Sequence, residues 1–279
     1  MDLNRNAIST PAKLANKIKL YQVDAFTNKL FSGNPAAVCI LDTWLSDELM
    51  QLIGNENNLA ETAFIVPKEQ YFEIRWFTPT VEVDLCGHAT LASAFVLFNI
   101  LNYSGSLIKF FSHRSGWLFA EKRDSLVFLN FPTDALTTLT EQQSKILEKC
   151  IGIKPIESYK GKTDYIAVIN TETSLQNLQP NLIKIAKLKA RALIVTAKGT
   201  RVDFVSRVFA PQSGINEDPV TGSAHTSLIP LWSAKLGKKN LIAKQISSRG
   251  GNLVCEFENE RCLIGGEAKL YLTGEINIV

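Results

Sequence analysis

The sequence predicts an α+β protein of two related lobes, each a barrel-like β-sheet wrapped around a central apolar α-helix. Three observations carry that expectation. Short apolar stretches rich in β-branched and aromatic residues recur through both halves of the chain. Each half also holds one helical segment that is apolar nearly all round, residues 87–101 and 222–236, and a helix without a polar face must be surrounded by protein. Finally, the stretches that lead into those two segments echo one another.

In the first half, "IKLYQVDAF", "AAVCIL", "ETAFIV", "YFEIRWF", "LIKFFS", "WLFAE" and "SLVFLNF" have the length and composition of strands. In the second half, "DYIAVI", "ALIVTA", "VDFVSRVF", "KQISSR", "LVCEFE", "RCLIGGEA" and "KLYLTG" continue the pattern. Three amphipathic helices are expected at "SDELMQLIGNE", capped by Ser46, at "TEQQSKILEKCIG" and, with a weaker pattern, at "NLIKIAKLKA". The polar residues 1–17 read as an N-terminal extension. Residues 18–130 read as the first lobe, with the strand at 268–279 returning to it, and residues 131–267 as the second. "FPTD" (131–134) is the expected crossover.

Bulk composition narrows the function. The 279 residues are 46% hydrophobic, which suits a packed core, and carry a net charge of +3. Basic residues are scattered, so nucleic acid is not an expected partner. No apolar run reaches the roughly 18–20 residues of a membrane span, and the N-terminus lacks the apolar stretch of a signal peptide. The five cysteines are widely spaced with no CxxC, which suits reduced thiols in the cytoplasm better than disulfides or zinc. No metal is expected. A second copy of the chain is an expected partner.

The echo lies between "FTPTVEVDLCGHATLASAFVLF" (77–98) and "FAPQSGINEDPVTGSAHTSLIPLW" (209–232). Both begin Phe-x-Pro, carry a Glu and an Asp before a glycine, and place a histidine within three residues after it. Such self-similarity suggests a duplicated unit. The first turn of a helix presents free N–H groups and the positive end of the macrodipole. Gly87, Ala89, Gly222 and Ser223 are small enough to let a carboxylate or phosphate approach those amides. Asp84 and Asp218 read either as helix caps or as groups beside a bound substrate. Glu61, at the start of an apolar strand, reads either as an exposed strand end or as a carboxyl with a raised pKa suited to general acid/base work.

Taken together, the motifs resemble the PhzF-like (phenazine biosynthesis-like) family. The matching stretches are "VDAFTNKLFSGNPAAV", "LAETAFI", "RWFTPTVEVDLCGHATLA", "GKTDYIAV", "RVFAPQSGINEDPVTGSAH" and "ISSRGGNLVCEF", which together span roughly residues 18 to 276. The resemblance implies a diaminopimelate-epimerase-like fold with the active site between two lobes, and cofactor-independent isomerase chemistry that moves a proton within a small carboxylate-bearing substrate. It also implies that Glu61 is the acid/base, that His88 and Asp218 complete the catalytic set, and that Gly222 and Ser223 are the paired glycine and serine. Epimerases of this fold use one cysteine at each helix mouth. Here the first mouth has Cys86, but Pro219 stands at the second position and cannot carry a proton, so two-thiol chemistry is disfavoured. The alternative readings are a catalytically silent binding member of the same fold and a two-base epimerase or racemase. Arg75, Arg207 and Arg249 flank the motifs, as a second carboxylate site or as structural residues. His113 reads as a surface or structural histidine, and His225 as one that caps or packs.

Overall fold

A computed structural model describes residues 17–278; the expected extension lies outside the described residues apart from Lys17. The first half runs β1 (Lys17–Ala25), β2 (Asn34–Ile40), α1 (Asp47–Asn57), β3 (Glu61–Pro67), β4 (Phe72–Phe77), β5 (Glu82–Val83), α2 (Gly87–Phe95), β6 (Leu107–Ser112), β7 (Gly116–Arg123) and β8 (Leu126–Pro132). The second runs β9 (Thr137–Thr138), α3 (Glu141–Ile151), β10 (Glu157–Lys160), β11 (Tyr165–Val168), α4 (Glu172–Gln176), α5 (Leu182–Ile185), β12 (Leu193–Lys198), β13 (Phe204–Ala210), β14 (Ile215–Asp218), α6 (His225–Leu236), β15 (Asn240–Gln245), β16 (Gly251–Glu258) and β17 (Arg261–Gly266), and β18 (Ala268–Asn277) closes the chain.

The same succession of pairings occurs twice. β1–β2 is antiparallel, β2–β3 parallel, β3–β4 antiparallel, β4–β5 antiparallel and β4–β6 parallel, and β6–β7–β8 is an antiparallel meander. From β10 to β17 each of these relations recurs in the same order. Even the added strands correspond, since β18 pairs antiparallel with β1 as β9 pairs with β10. The echo between the two helix mouths is thus the local trace of a duplicated topology. The sheet is continuous where the sequence suggests a division: β8 runs past residue 130 to Pro132 and pairs with β17. The lobe limits remain a proposal.

α2 is packed against β1, β2, β3, β7, β8 and β18, and α6 against β15, β16 and β17. Burying a helix on all sides requires that its few polar side chains find partners inside. In α2, the Thr90 and Ser93 hydroxyls donate back to the carbonyls of Cys86 and Ala89, four residues earlier. In α6, Trp232 stacks parallel on Phe204 and donates its indole N–H to Thr196. Leu91, Ala92, Leu228 and Ile229 are fully buried in one apolar core that spans both helices. The outer faces of the sheet carry two smaller cores, one under α1 and one under α3, α4 and α5.

Local signals worked where caps define the ends. Ser46 accepts the Leu49 N–H at the start of α1, and Thr140 with Gln143 forms a capping box on α3. Four boundaries differ from expectation. The apolar segment 87–101 is α-helical only to Phe95 and continues as a π-helical turn, Val96–Ile100. The second apolar helix begins at His225, because Gly222–Ala224 form a separate turn closed by His225 N–H to Gly222 O and Thr226 N–H to Ser223 O. α5 spans only four residues of "NLIKIAKLKA". The strand expected over 244–249 lies instead at Asn240–Gln245, where it continues β13 in parallel. Among the described residues no helix is long and apolar enough to cross a membrane.

Candidate active site

The two helix mouths meet. A Cβ built on Gly87 would lie 3.4 Å from the Cα of Gly222, and one built on Gly222 would lie 3.5 Å from the Cα of Gly87. Larger side chains here would hold the halves apart. Phe26 backs this junction: its ring tip lies 3.5 Å from the Gly222 Cβ position, and it holds a left-handed φ of 62° while fully buried. That is a costly conformation for an aromatic residue, kept by packing against Gly222, Gly251 and Gly266.

Beside the junction opens a cleft of about 660 Å³, lined by Glu61 from β3, Asp218 from β14, Thr221 and Ser223 from the turn before α6, and Arg191 and Asp164. Parallel pairing of β2 with β3 sets Glu61 opposite Ala36, two residues from Asn34. The Asn34 amide nitrogen donates to Asp218 Oδ1 at 2.8 Å and to the Val220 carbonyl at 2.8 Å, and lies 3.2 Å from Nδ1 of His88. The amide has two hydrogens, which the two shorter contacts, to Asp218 and Val220, take up. Nε2 lies 3.2 Å from Oε2 of Glu61, though without the alignment of a hydrogen bond, and both atoms are buried without another partner.

Electrostatics separates the three groups. Burial pushes Glu61 up to about 8, the Asp218 charge adds to the rise, and the Cys86 thiol and Arg191 oppose it. Burial also raises Asp218, to about 6, against hydrogen bonds from Thr221 and Asn34 and the charge of Arg191. Burial lowers His88 to about 3, so its contact with Glu61 is not an ion pair at neutral pH. At pH 7 the site therefore holds a protonated Glu61, a largely ionised Asp218 and a neutral imidazole. One cleft thus holds two carboxyls in different protonation states.

Of the residues expected at the helix mouths, Ser223 lines the cleft, and its hydroxyl accepts from Arg191 Nη1 at 2.8 Å. Gly87, Gly222, His88 and Ala89 sit behind the wall, and Ala89 is fully buried. Cys86 is also buried, its thiol 3.5 Å from His88 Nδ1 and raised well above its ordinary value, chiefly by burial. Asp84 is no helix cap; it is exposed and pairs with Arg114.

The three flanking arginines are structural. Arg75 forks onto Glu82 over Phe77, and Arg207 forks onto Glu217 over Phe209, a matched pair of braces in the duplicated topology. Glu217 is thereby turned away from the role its neighbour Asp218 can fill. Arg249 binds Asp24 and the carbonyls of Ser32 and Gly33. His225 packs, with Nδ1 2.9 Å from the Thr221 carbonyl, and His113 is exposed beside Phe111. Sequence reasoning missed Asn34, Arg191 and Asp164. Asn34 and Asp164 stand in the motifs "SGNPAAV" and "GKTDY", which offered a signal. Arg191, paired with Asp164, stands in none.

Residues 23–274 match the model of the family described as phenazine biosynthesis-like protein. An uncharacterized isomerase of Pseudomonas aeruginosa is 45% identical over 262 residues, covering 94% of this chain and 99% of its own. The human phenazine biosynthesis-like domain-containing protein is 38% identical, covering 93% and 99%. A crystal structure of a PhzF-family phenazine biosynthesis protein from Enterococcus faecalis superposes with a TM-score of 0.88 at 44% identity, covering 93% of this chain and 99% of that one. A hydroxyproline epimerase from Agrobacterium vitis, with a TM-score of 0.58 at 9% identity over 94% and 92% of the two chains, shares the fold alone. By class, then, the molecule is an isomerase on a diaminopimelate-epimerase-like fold. The chain belongs to the phenazine biosynthesis-like family.

Proposed function

We propose that this isomerase works without a cofactor and moves a proton within a small carboxylate-bearing substrate, with Glu61 as the acid/base. The observation that carries the reading is the carboxyl of Glu61, only 13% exposed, placed at the cleft wall and raised to about 8. A glutamate with that pKa is a far stronger base when ionised than one in water, and its value lies near neutral pH, where proton transfer in both directions is efficient. In its ionised form, a minority of the empty-site population at pH 7, Glu61 takes a proton from a carbon beside an unsaturated or carboxyl-bearing group and returns it to another position of the same molecule. The His88 imidazole, with Nε2 3.2 Å from Oε2, packs against the carboxyl and limits where it can sit. Asp218, fixed by Asn34 and Thr221, supplies the standing negative charge that keeps Glu61 basic.

The substrate carboxylate is received by the Ser223 hydroxyl, by amides of the turn before α6, and by Arg191, whose guanidinium is anchored on Asp164. Each charge-assisted contact contributes on the order of 1.5–3 kcal/mol. Exclusion of water around bound substrate keeps the abstracted proton from exchanging before its return.

The test is a screen of small cyclic and amino carboxylates in D₂O, watching for isomerisation and deuterium uptake. Glu61→Gln should fold and lose exchange on any substrate that wild type turns over. Retention of more than about a tenth of the wild-type rate would remove Glu61 from the role of base.

A further inference from the structure

Three donors of different chemistry converge at the first helix mouth. The Cys86 thiol, the His88 imidazole and the Glu61 carboxylate each place a ligand atom within 4.8 Å of the other two. Among the described residues this is the one group of three such donors. Two atoms of the set, Oε2 of Glu61 and Nε2 of His88, are buried with no hydrogen-bond partner, and His88 is 5% exposed. Unpartnered buried polar atoms are rare in folded proteins and call for an occupant.

We propose that Glu61, Cys86 and His88 bind a soft divalent cation, zinc in the first instance, and that its binding switches the enzyme off by engaging the catalytic carboxylate. The inhibitory half rests on Glu61 being the base; the binding half does not. Zinc bonds of about 2.0–2.3 Å hold tetrahedral ligands roughly 3.3–3.8 Å apart. Here Cys86 Sγ lies 3.5 Å from His88 Nδ1, and His88 Nε2 lies 3.2 Å from Glu61 Oε2. One imidazole nitrogen must serve both neighbours, so a small rotation of the ring or the thiol completes the set. Glu61 lines the cleft, which leaves the fourth position for water. Thiolate with imidazole favours zinc or cobalt over magnesium or calcium. On binding, the thiol and the carboxyl release their protons to solvent, and the metal takes their place. Cys39, Cys150, Cys255 and Cys262 are buried too, but none is part of such a group.

Titration of the reduced full chain with Co²⁺ tests the site without any substrate. A near-ultraviolet thiolate-to-cobalt band should saturate at about one equivalent, be displaced by Zn²⁺, and be unaffected by millimolar Mg²⁺. Cys86→Ala should lose the band, and Glu61→Gln, which keeps both softer ligands, should bind cobalt about tenfold or more weakly. Absence of the band in wild type, or its persistence in Cys86→Ala, overturns the site. If Cys86→Ala fails to fold, persistence of full affinity in Glu61→Gln does so instead. A bound metal that leaves deuterium exchange unchanged overturns the inhibitory role alone. Exchange that survives in Glu61→Gln, with the cobalt band intact in wild type, points to failure of the acid/base reading and not of the metal site.

Discussion

Glu61→Gln should change how stability depends on pH, in a direction and over a window fixed by its surroundings. The carboxyl has an ordinary value of 4.5 and is raised to about 8 in the fold. Between those values the folded protein keeps a proton that the unfolded chain has lost, so stability falls as pH rises. At about 1.4 kcal/mol per unit, the full shift sets a ceiling of about 5 kcal/mol. Partial exposure and sharing of the shift with Asp218 reduce this. The cleanest interval is pH 6.5 to 8, above the titrations of Asp218 (about 6), His88 (about 3) and His225 (about 4) in the fold; histidines of the unfolded chain, with an ordinary value of 6.5, titrate at its lower end in both proteins and cancel in the difference. There, Glu61 alone should cost wild type about 2 kcal/mol of stability. Glutamine is close in shape and does not titrate, so the variant escapes this loss and should gain on wild type as pH rises. Urea denaturation at closely spaced pH values, with the difference between the two proteins plotted against pH, reads this directly. Parallel curves from pH 6.5 to 8 would show that Glu61 is ionised in the empty site and would refute the burial argument on which its role depends.

Other perturbations test the neighbouring parts. Arg191→Lys keeps a charge for Asp164 but loses the planar fork, and should raise KM for a carboxylate substrate about tenfold with kcat little changed; equal KM values would remove Arg191 from the binding site. Cys86→Ala deletes a buried thiol that is a poor base, and should cost about 1 kcal/mol in stability and spare most activity. Complete loss in a folded Cys86→Ala protein would revive thiol chemistry. Gly222→Ala should be nearly silent, because the added Cβ stays 3.5 Å from its nearest neighbours, Gly87 and Phe26. Gly222→Val overfills the junction at a cost of about 1–3 kcal/mol and should weaken ligand binding more than folding, as measured by calorimetry and denaturation. The reverse ranking would place the junction outside the binding site.

The sequence made the elements legible more readily than their meeting points. Short stretches rich in β-branched and aromatic residues and two helices without a polar face announced a duplicated sheet with buried helices, because burial on all sides leaves its mark on every residue of the segment. Helix limits were less visible where the deciding interactions are tertiary. Nothing in "TGSAHTSL" distinguishes a helical start at Gly222 from one at His225, since the residues are small and no side chain caps the helix. Glu61, His88 and Asp218 were reached through motifs. Asn34 joins two of them through a bond to Asp218 across 184 residues, which no local pattern encodes. The arginines show the reverse error. Arg75 and Arg207 looked available because their partners, Glu82 and Glu217, lie on the adjoining strands and not next to them in sequence.

The pairing of β18 with β1 has a consequence for how the molecule is made. Lys17 and Glu275 form an ion pair across 258 residues, so the first strand of the opening unit waits for the final ten-residue strand before its outer neighbour exists. On a ribosome the second unit, whose own added strand β9 precedes it, can assemble in the order of its synthesis; the first cannot. Folding is then governed by a contact of long sequence separation, formed late and at high entropic cost. The nascent chain spends the whole interval with an open edge at β1, and that edge is where aggregation or chaperone capture would begin.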